Sequence, residues 1–142
     1  MNEPIADAAR GILDGHIVLD RKIAHKGHYP AIDVLGSVSR CMKDVVSKDH
    51  QEAAILIREL LAAYRDAEDT INLGAYVRGA NSIVDRAIDM IGELNAFLKQ
   101  GIYEKDLFES IVARLIGLFG EKQSAAEQQV QIQTPNFAQV VR

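Results

Sequence analysis

The apolar residues Ala53, Ile57, Leu60, Leu61 and Tyr64 recur mainly at intervals of three and four, and that spacing constrains the fold more than any other feature of the chain. Side chains one helical turn apart share a face, so the stretch predicts an amphipathic helix over residues 49–67 with one buried stripe. Asp49 reads as its N-cap, with Glu52 three residues on as in a capping box. Residues 68–74 read as a short helical turn closed by Gly74. Asn81-Ser82 opens the next helix, over 82–99, with Ile83, Ala87, Ile88, Ile91, Leu94 and Leu98 inward, and Gly101 stops it. Asp106 to Gly120 predicts a last amphipathic helix through Leu107, Ile111, Leu115 and Leu118. Helices joined by short turns pack as a bundle.

The first forty residues are patterned differently. Residues 5–13 are small and apolar, with Ile5, Ala8, Ala9 and Ile12 on one side, which by periodicity alone is a helix. Asp14-Gly15 is a turn signal. From His16 to His25 a second helical pattern turns Ile17, Val18, Leu19 and Ile23 inward, and Lys26-Gly27 ends it. Pro30 holds Tyr29 in extended backbone. Ala31 to Leu35 suits a short buried strand, Ser37 to Arg40 reads as a turn, and residues 41–48 form a connector. Residues 121–142 are rich in Gln, Ser and Ala, and the composition predicts disorder or ordering by a partner.

Bulk properties exclude several functions. A chain of 142 residues is one domain of ordinary size, or one small domain with an appendage, and its net charge of -4 argues against a general nucleic-acid binder. The single cysteine, Cys41, excludes an internal disulfide and a Cys-rich zinc site. Apolar runs fall short of a membrane span, and Met1-Asn2-Glu3-Pro4 has no apolar signal core. The expected location is cytoplasmic. His25 and His28 are three apart but have no acidic partner at a ligand spacing, so no metal site is assigned.

Three residues stand out as candidates for chemistry. The Arg40 guanidinium presents a rigid fork of donors that matches phosphate oxygens; the alternative is an arginine paired with an aspartate on the surface. Tyr29, held extended before Pro30, offers a ring face for stacking on a base, or is a half-buried surface tyrosine. Tyr103, just past Gly101, carries the same two readings. So does Tyr76, whose neighbour Arg78 favours a surface role.

Several ordered motifs bear a resemblance to a known family. Pro4-Ile5-Ala6-Asp7, Ile12-Leu13-Asp14-Gly15-His16-Ile17-Val18-Leu19-Asp20-Arg21, Gly27-His28-Tyr29-Pro30-Ala31-Ile32-Asp33-Val34, and Ser37-Val38-Ser39-Arg40 resemble the flagellum-specific ATPase of type III protein export. That enzyme is similar to the catalytic subunits of rotary F- and V-type ATPases. Asn72-Leu73-Gly74-Ala75-Tyr76-Val77-Arg78-Gly79 and Phe97-Leu98-Lys99-Gln100 continue the resemblance, which covers about residues 1–120.

The resemblance implies a mainly α chain. Residues 1–47 would be the carboxyl-terminal edge of a RecA-like α/β nucleotide domain, with short strands and a helix. Residues 48–120 would be the C-terminal helical domain; residues 121–142 lie beyond the resemblance and are expected to be a disordered tail from their composition alone. It makes Ala8 to Leu13 a strand of the central sheet. It implies that Arg40 is an arginine finger reaching a neighbouring subunit's nucleotide, and that Tyr29, with Tyr103 as the nearest second candidate, contacts adenine. The parent enzyme would use ATP and Mg; none is expected for this piece alone. No GxxxxGK[ST] motif occurs in the chain, and the resemblance sets the Walker A loop, Walker B Asp and catalytic carboxylate upstream of Met1. The implied partners are the other subunits of a homohexamer, export chaperone–substrate complexes, and stalk and regulator proteins. Contact with the membrane would come only through the export gate. A stand-alone helical protein-interaction module without a nucleotide role is the alternative.

Overall fold

The computed structural model describes the backbone of residues 4–132 and the side chains of residues 4–120. Among the described residues the chain is mainly α, with one small sheet. It opens with α1 (Pro4–Ile12), β1 (Gly15–Leu19), α2 (Arg21–His25), β2 (Ile32–Ser39) and α3 (Met42–Val45). The long helices α4 (Lys48–Asn72), α5 (Ser82–Leu98) and α6 (Phe108–Ile132) follow. Two compact units divide between Lys105 and Asp106.

In the first unit, α4 and α5 pack together. Their stripes form its core: Ala53, Ile57 and Leu60 from α4, and Val84, Ala87, Met90 and Leu94 from α5. Full burial of a Leu or Met side chain contributes about 1.5–3 kcal/mol relative to exposure, and Leu60, Met90 and Leu94 are the largest fully buried side chains among the described residues. The expected inward position of Ile83 is overturned: Ile83 is exposed and Val84, one residue on, is buried. A one-residue step rotates the face by about 100°, and the true seam runs Val84, Ala87, Met90, Leu94. Asn81 caps α5 as predicted, its side chain accepting from the Ile83 and Val84 amides.

The start of α4 differs from expectation. Ser47, not Asp49, is the N-cap, its hydroxyl accepting from the His50 amide at 3.3 Å. A serine in extended backbone two residues earlier lengthens the helix without burying a charge. Nor does α4 break at Glu68. It runs through Asn72, and Gly74, at φ 67°, turns the chain out of it.

Three expectations for the N-terminal region are corrected. Ala8 to Leu13 is not a strand, because α1 spans Pro4–Ile12. Among the described residues β1 and β2 pair only with each other, so nothing offers this segment a ladder, and its local helix propensity prevails. His16 to Leu19 is not helical but lies in β1, where β-branched Ile17 and Val18 suit pairing. Asp20 then starts α2 by accepting from the Lys22 amide at 2.8 Å. Ser37 to Ser39 is not a turn, because β2 continues to Ser39.

The hairpin is irregular. His16 faces Val38 and Val18 faces Asp33, so one residue of β1, Ile17, stands opposite four of β2, Val34 to Ser37. Inside this bulge the Ser37 hydroxyl donates to the Asp33 carbonyl at 2.6 Å and accepts from the Val18 amide at 3.0 Å. The Asp33 carboxylate accepts from the Leu35 amide at 3.1 Å. At Gly36 an added Cβ would lie 2.8 Å from the Asp33 carboxylate, which would have to shift.

The second unit contains α6. Arg114 and Asp106 pair at 2.6 Å at its start. Leu115 is buried as expected, but Leu107 is exposed and Phe119 is buried in addition. The helix does not stop at the expected Gly120 but continues through residues 121–132. The rest of the expected tail lies outside the described residues.

Candidate functional site

The site begins where α2 ends. Gly27, at φ 66°, reverses the chain after Lys26, and the Tyr29-Pro30 peptide, which is cis, leads into β2. The Tyr29 carbonyl accepts from the Gln100 amide at 2.9 Å, which ties this turn to the segment following α5. That segment is itself ordered. The Glu104 carboxylate accepts from the Gly101 amide at 2.8 Å, and the Gln100 side chain donates to the Glu104 carbonyl at 3.1 Å.

Between the two segments lies a recess of about 540 Å³, lined by Gly27, Tyr29, Lys99, Gln100, Gly101, Ile102 and Glu104. Its size falls within the roughly 300–1,000 Å³ of small-molecule sites. Tyr29 is 56% exposed and lines this space. Tyr103 is 94% exposed and does not line it; its neighbour Ile102 does. The sequence carried a signal for Ile102 only in its adjacency to Gly101, because an apolar side chain in a loop has no periodicity to mark its direction.

Arg40 sits at the far end of β2. Its amide donates to the Asp14 carbonyl at 2.7 Å. One guanidinium nitrogen donates to the Gly11 and Leu13 carbonyls, both at 3.1 Å, and the other to the Arg10 carbonyl at 3.3 Å. Arg10 and Gly11 stand in the last turn of α1, where carbonyls lack intrahelical donors, and Leu13 follows it; a cation there also complements the helix dipole. Arg40 therefore has main-chain partners rather than an aspartate, and it lines neither the Tyr29 recess nor the neighbouring cavity described next.

A second cavity, of about 360 Å³, lies between the hairpin side and the α4–α5 pair, with Ile32, Leu61, Ile91 and Leu98 among its walls. His28 and Lys99 both line it. Partial burial and then the Lys99 charge lower the His28 pKa, against the Leu98 carbonyl, which raises it. Lys26 pairs with Glu68 at 3.0 Å and Arg65 with Asp33 at 2.8 Å, both joining α4 to the N-terminal region. Burial alone would raise the Asp33 pKa, but the Arg65 hydrogen bond and the Gly36 and Leu35 amides bring it below the usual carboxylate value. Tyr76 reaches the start of α5, its hydroxyl bonding the Asn81 carbonyl and the Asp85 carboxylate. Among the described residues no group of three or more His, Cys, Asp or Glu is placed to hold a metal ion, and no helix is long and apolar enough to cross a membrane.

The family model described as the T3SS EscN ATPase C-terminal domain matches residues 46–117, half of the chain. This chain belongs to that family. A second model, the nucleotide-binding domain of the ATP synthase alpha/beta family, matches residues 1–39. The flagellum-specific ATP synthase of Bacillus subtilis (strain 168) is 52% identical over 123 residues, covering 87% of this chain. The chain spans only 28% of that relative's length. Among solved structures, the assembled ATPase EscN of the enteropathogenic E. coli type III secretion system superposes with a TM-score of 0.78 at 38% identity, over 82% of this chain and 28% of that one. EscN in complex with its central stalk EscO gives 0.77 at 37% identity, over 82% and 29%. In this EscN-type chain the recess draws on both matches: Gly27 and Tyr29 come from the nucleotide-binding-domain match, and Lys99 to Glu104 from the C-terminal-domain match.

Proposed function

We propose that the chain is the carboxyl-terminal part of an ATPase that drives protein export through a flagellar or type III secretion apparatus. Residues 1–47 are the edge of its nucleotide domain and 48–120 its helical domain. The observation that carries this reading is the Tyr29 recess, whose walls come from segments matching two families of nucleotide-handling enzymes.

The recess fits the base end of ATP. It has an aromatic residue, Tyr29, and an apolar one, Ile102, among its lining residues. Stacking on an exposed aromatic ring is tolerant of geometry and contributes about 1–3 kcal/mol. Nothing in the chain resembles a phosphate loop, so on this reading the piece orients the base and the triphosphate falls to other residues. ATP supplies the phosphoanhydride bond whose hydrolysis drives export.

Arg40 serves a neighbouring subunit of a homohexamer. Its present acceptors are main-chain carbonyls at the end of α1 and just past it. Exchanging these carbonyls for a phosphate group turns the guanidinium to the neighbouring subunit's nucleotide. A fork of this kind stabilises charge in the transition state by about 10³ to 10⁵ in rate. The central stalk and export chaperone–substrate complexes are the partners, on the cytoplasmic side.

The test uses the full-length ATPase. Arg40→Ala removes most hydrolysis and leaves nucleotide affinity within about threefold, measured by steady-state turnover and by titration. Parallel loss of both quantities makes Arg40 a residue of the fold.

A further inference from the structure

The bulge in β2 has main-chain acceptors that the hairpin ladder does not use, and one side chain of α4 takes them. Arg58 donates to the Val34 carbonyl at 3.2 Å and the Ser37 carbonyl at 3.0 Å through one nitrogen, and to the Leu35 carbonyl at 3.5 Å through the other. Two turns further along the same face of α4, Arg65 pairs with Asp33 at the mouth of the bulge. Bulges re-aim the strand beyond them, and the strand beyond this one carries Arg40 three residues after Ser37.

We propose that Arg58 is a positioning residue for Arg40: by gripping the bulge carbonyls it sets the direction in which β2 delivers the Arg40 guanidinium, so that a shift of α4 becomes a shift of Arg40. The proposal rests on the reading of Arg40 as an arginine finger. A planar fork suits the task, because three acceptors spread over four residues are held by one rigid group. Ser37 connects the two ends of the device, its carbonyl on Arg58 and its hydroxyl on β1 through the Val18 amide. The helical domain, which this chain shares with export ATPases, thereby has a mechanical route to the nucleotide contact that does not pass through the nucleotide.

The experiment is a double-mutant cycle in the full-length ATPase with Arg58→Ala, Arg58→Lys, Arg40→Ala and the double variant Arg58→Ala/Arg40→Ala. Turnover, nucleotide affinity and thermal midpoint are read for each. Arg58→Ala is expected to lower kcat on the order of ten- to a hundredfold, as a misplaced group does, with nucleotide affinity unchanged within about twofold. Arg58→Lys keeps the charge but not the fork and falls between. The double variant is no slower than Arg40→Ala alone, because residues acting as one unit are not additive. If Arg58→Ala does not assemble, Arg58→Lys carries the same cycle. Losses that add in the double variant, or affinity and midpoint falling in step with kcat, overturn the proposal and leave Arg58 a fold-stabilising residue. Arg58 variants matching the wild type overturn it as well. Arg40→Ala with full turnover overturns the arginine-finger reading itself, a result distinct from either.

Discussion

The Arg65 guanidinium lies 2.8 Å from the Asp33 carboxylate and joins the outer face of α4 to the mouth of the β2 bulge. Asp33 is the more enclosed partner, at 17% side-chain exposure against 52% for Arg65. The pair is thus half wet, and screening limits its own contribution to about 1 kcal/mol or less. The carboxylate also holds the Leu35 amide, so Asp33→Ala removes more than an ion pair and destabilises the chain by about 1–2 kcal/mol.

The pH dependence of that contribution has a definite sign. The folded pKa of Asp33 is depressed below the usual 3.8, the Arg65 hydrogen bond and backbone amides overcoming the opposing effect of burial. Stability from this group is complete above the unfolded value and is lost as pH falls through the lower folded value. Urea midpoints between about pH 2.5 and about pH 6 should fall towards acid in the wild type, and Asp33→Asn should flatten part of that limb. An identical slope in the variant would show that the pair does not form.

His28 gives a second window at higher pH. Its folded pKa lies below 6.5 because partial burial and the Lys99 charge disfavour the imidazolium. The unfolded chain takes up the proton first, so stability is full above 6.5 and declines as pH drops below it. His28→Gln removes this dependence, and Lys99→Gln weakens it, as read from thermal midpoints at about pH 5 and about pH 7.5. A wild type whose midpoint is the same at both would contradict the assignment.

The helical seam makes a test of register. Leu94→Ala empties a fully buried position of α5 and should cost about 2–5 kcal/mol, whereas Ile83→Ala, at an exposed position, should cost under about 1 kcal/mol. Chemical denaturation of both variants separates the observed seam from one running through Ile83.

The helical half was legible because its signal is local. A 3-4 repeat needs only a neighbouring helix to bury it, and Ala53, Ile57, Leu60, Ala87 and Leu94 follow directly. Ile83 misled because either Ile83 or Val84 satisfies a periodic pattern at a helix start, and only packing chooses between them. The N-terminal region was less legible because its outcome depends on pairing. His16 to Leu19 becomes β1 when β2 lies beside it, while Ala8 to Leu13 stays helical where no strand pairs with it. At the site, Pro30 marked Tyr29, but nothing local marked Ile102, Arg58 or Arg65. Their roles arise from contacts 21 to 32 residues distant along the chain in the case of the two arginines.

The recess allows the two tyrosines to be told apart. Tyr29 lines it and Tyr103 does not, so in the full-length ATPase Tyr29→Ala should weaken adenine nucleotides by about tenfold, the stacking contribution of one ring. Tyr103→Ala should leave affinity within about twofold, since its ring is almost fully exposed. Ile102→Asp introduces a charge into the apolar wall and should weaken binding at least as much as Tyr29→Ala. If the recess takes the base as proposed, selectivity for adenine over guanine nucleotides should narrow with Tyr29→Ala. Titration with fluorescent adenine and guanine nucleotides measures all four quantities. Equal losses for Tyr29→Ala and Tyr103→Ala would move the base contact out of this recess and onto the outer surface of the loop.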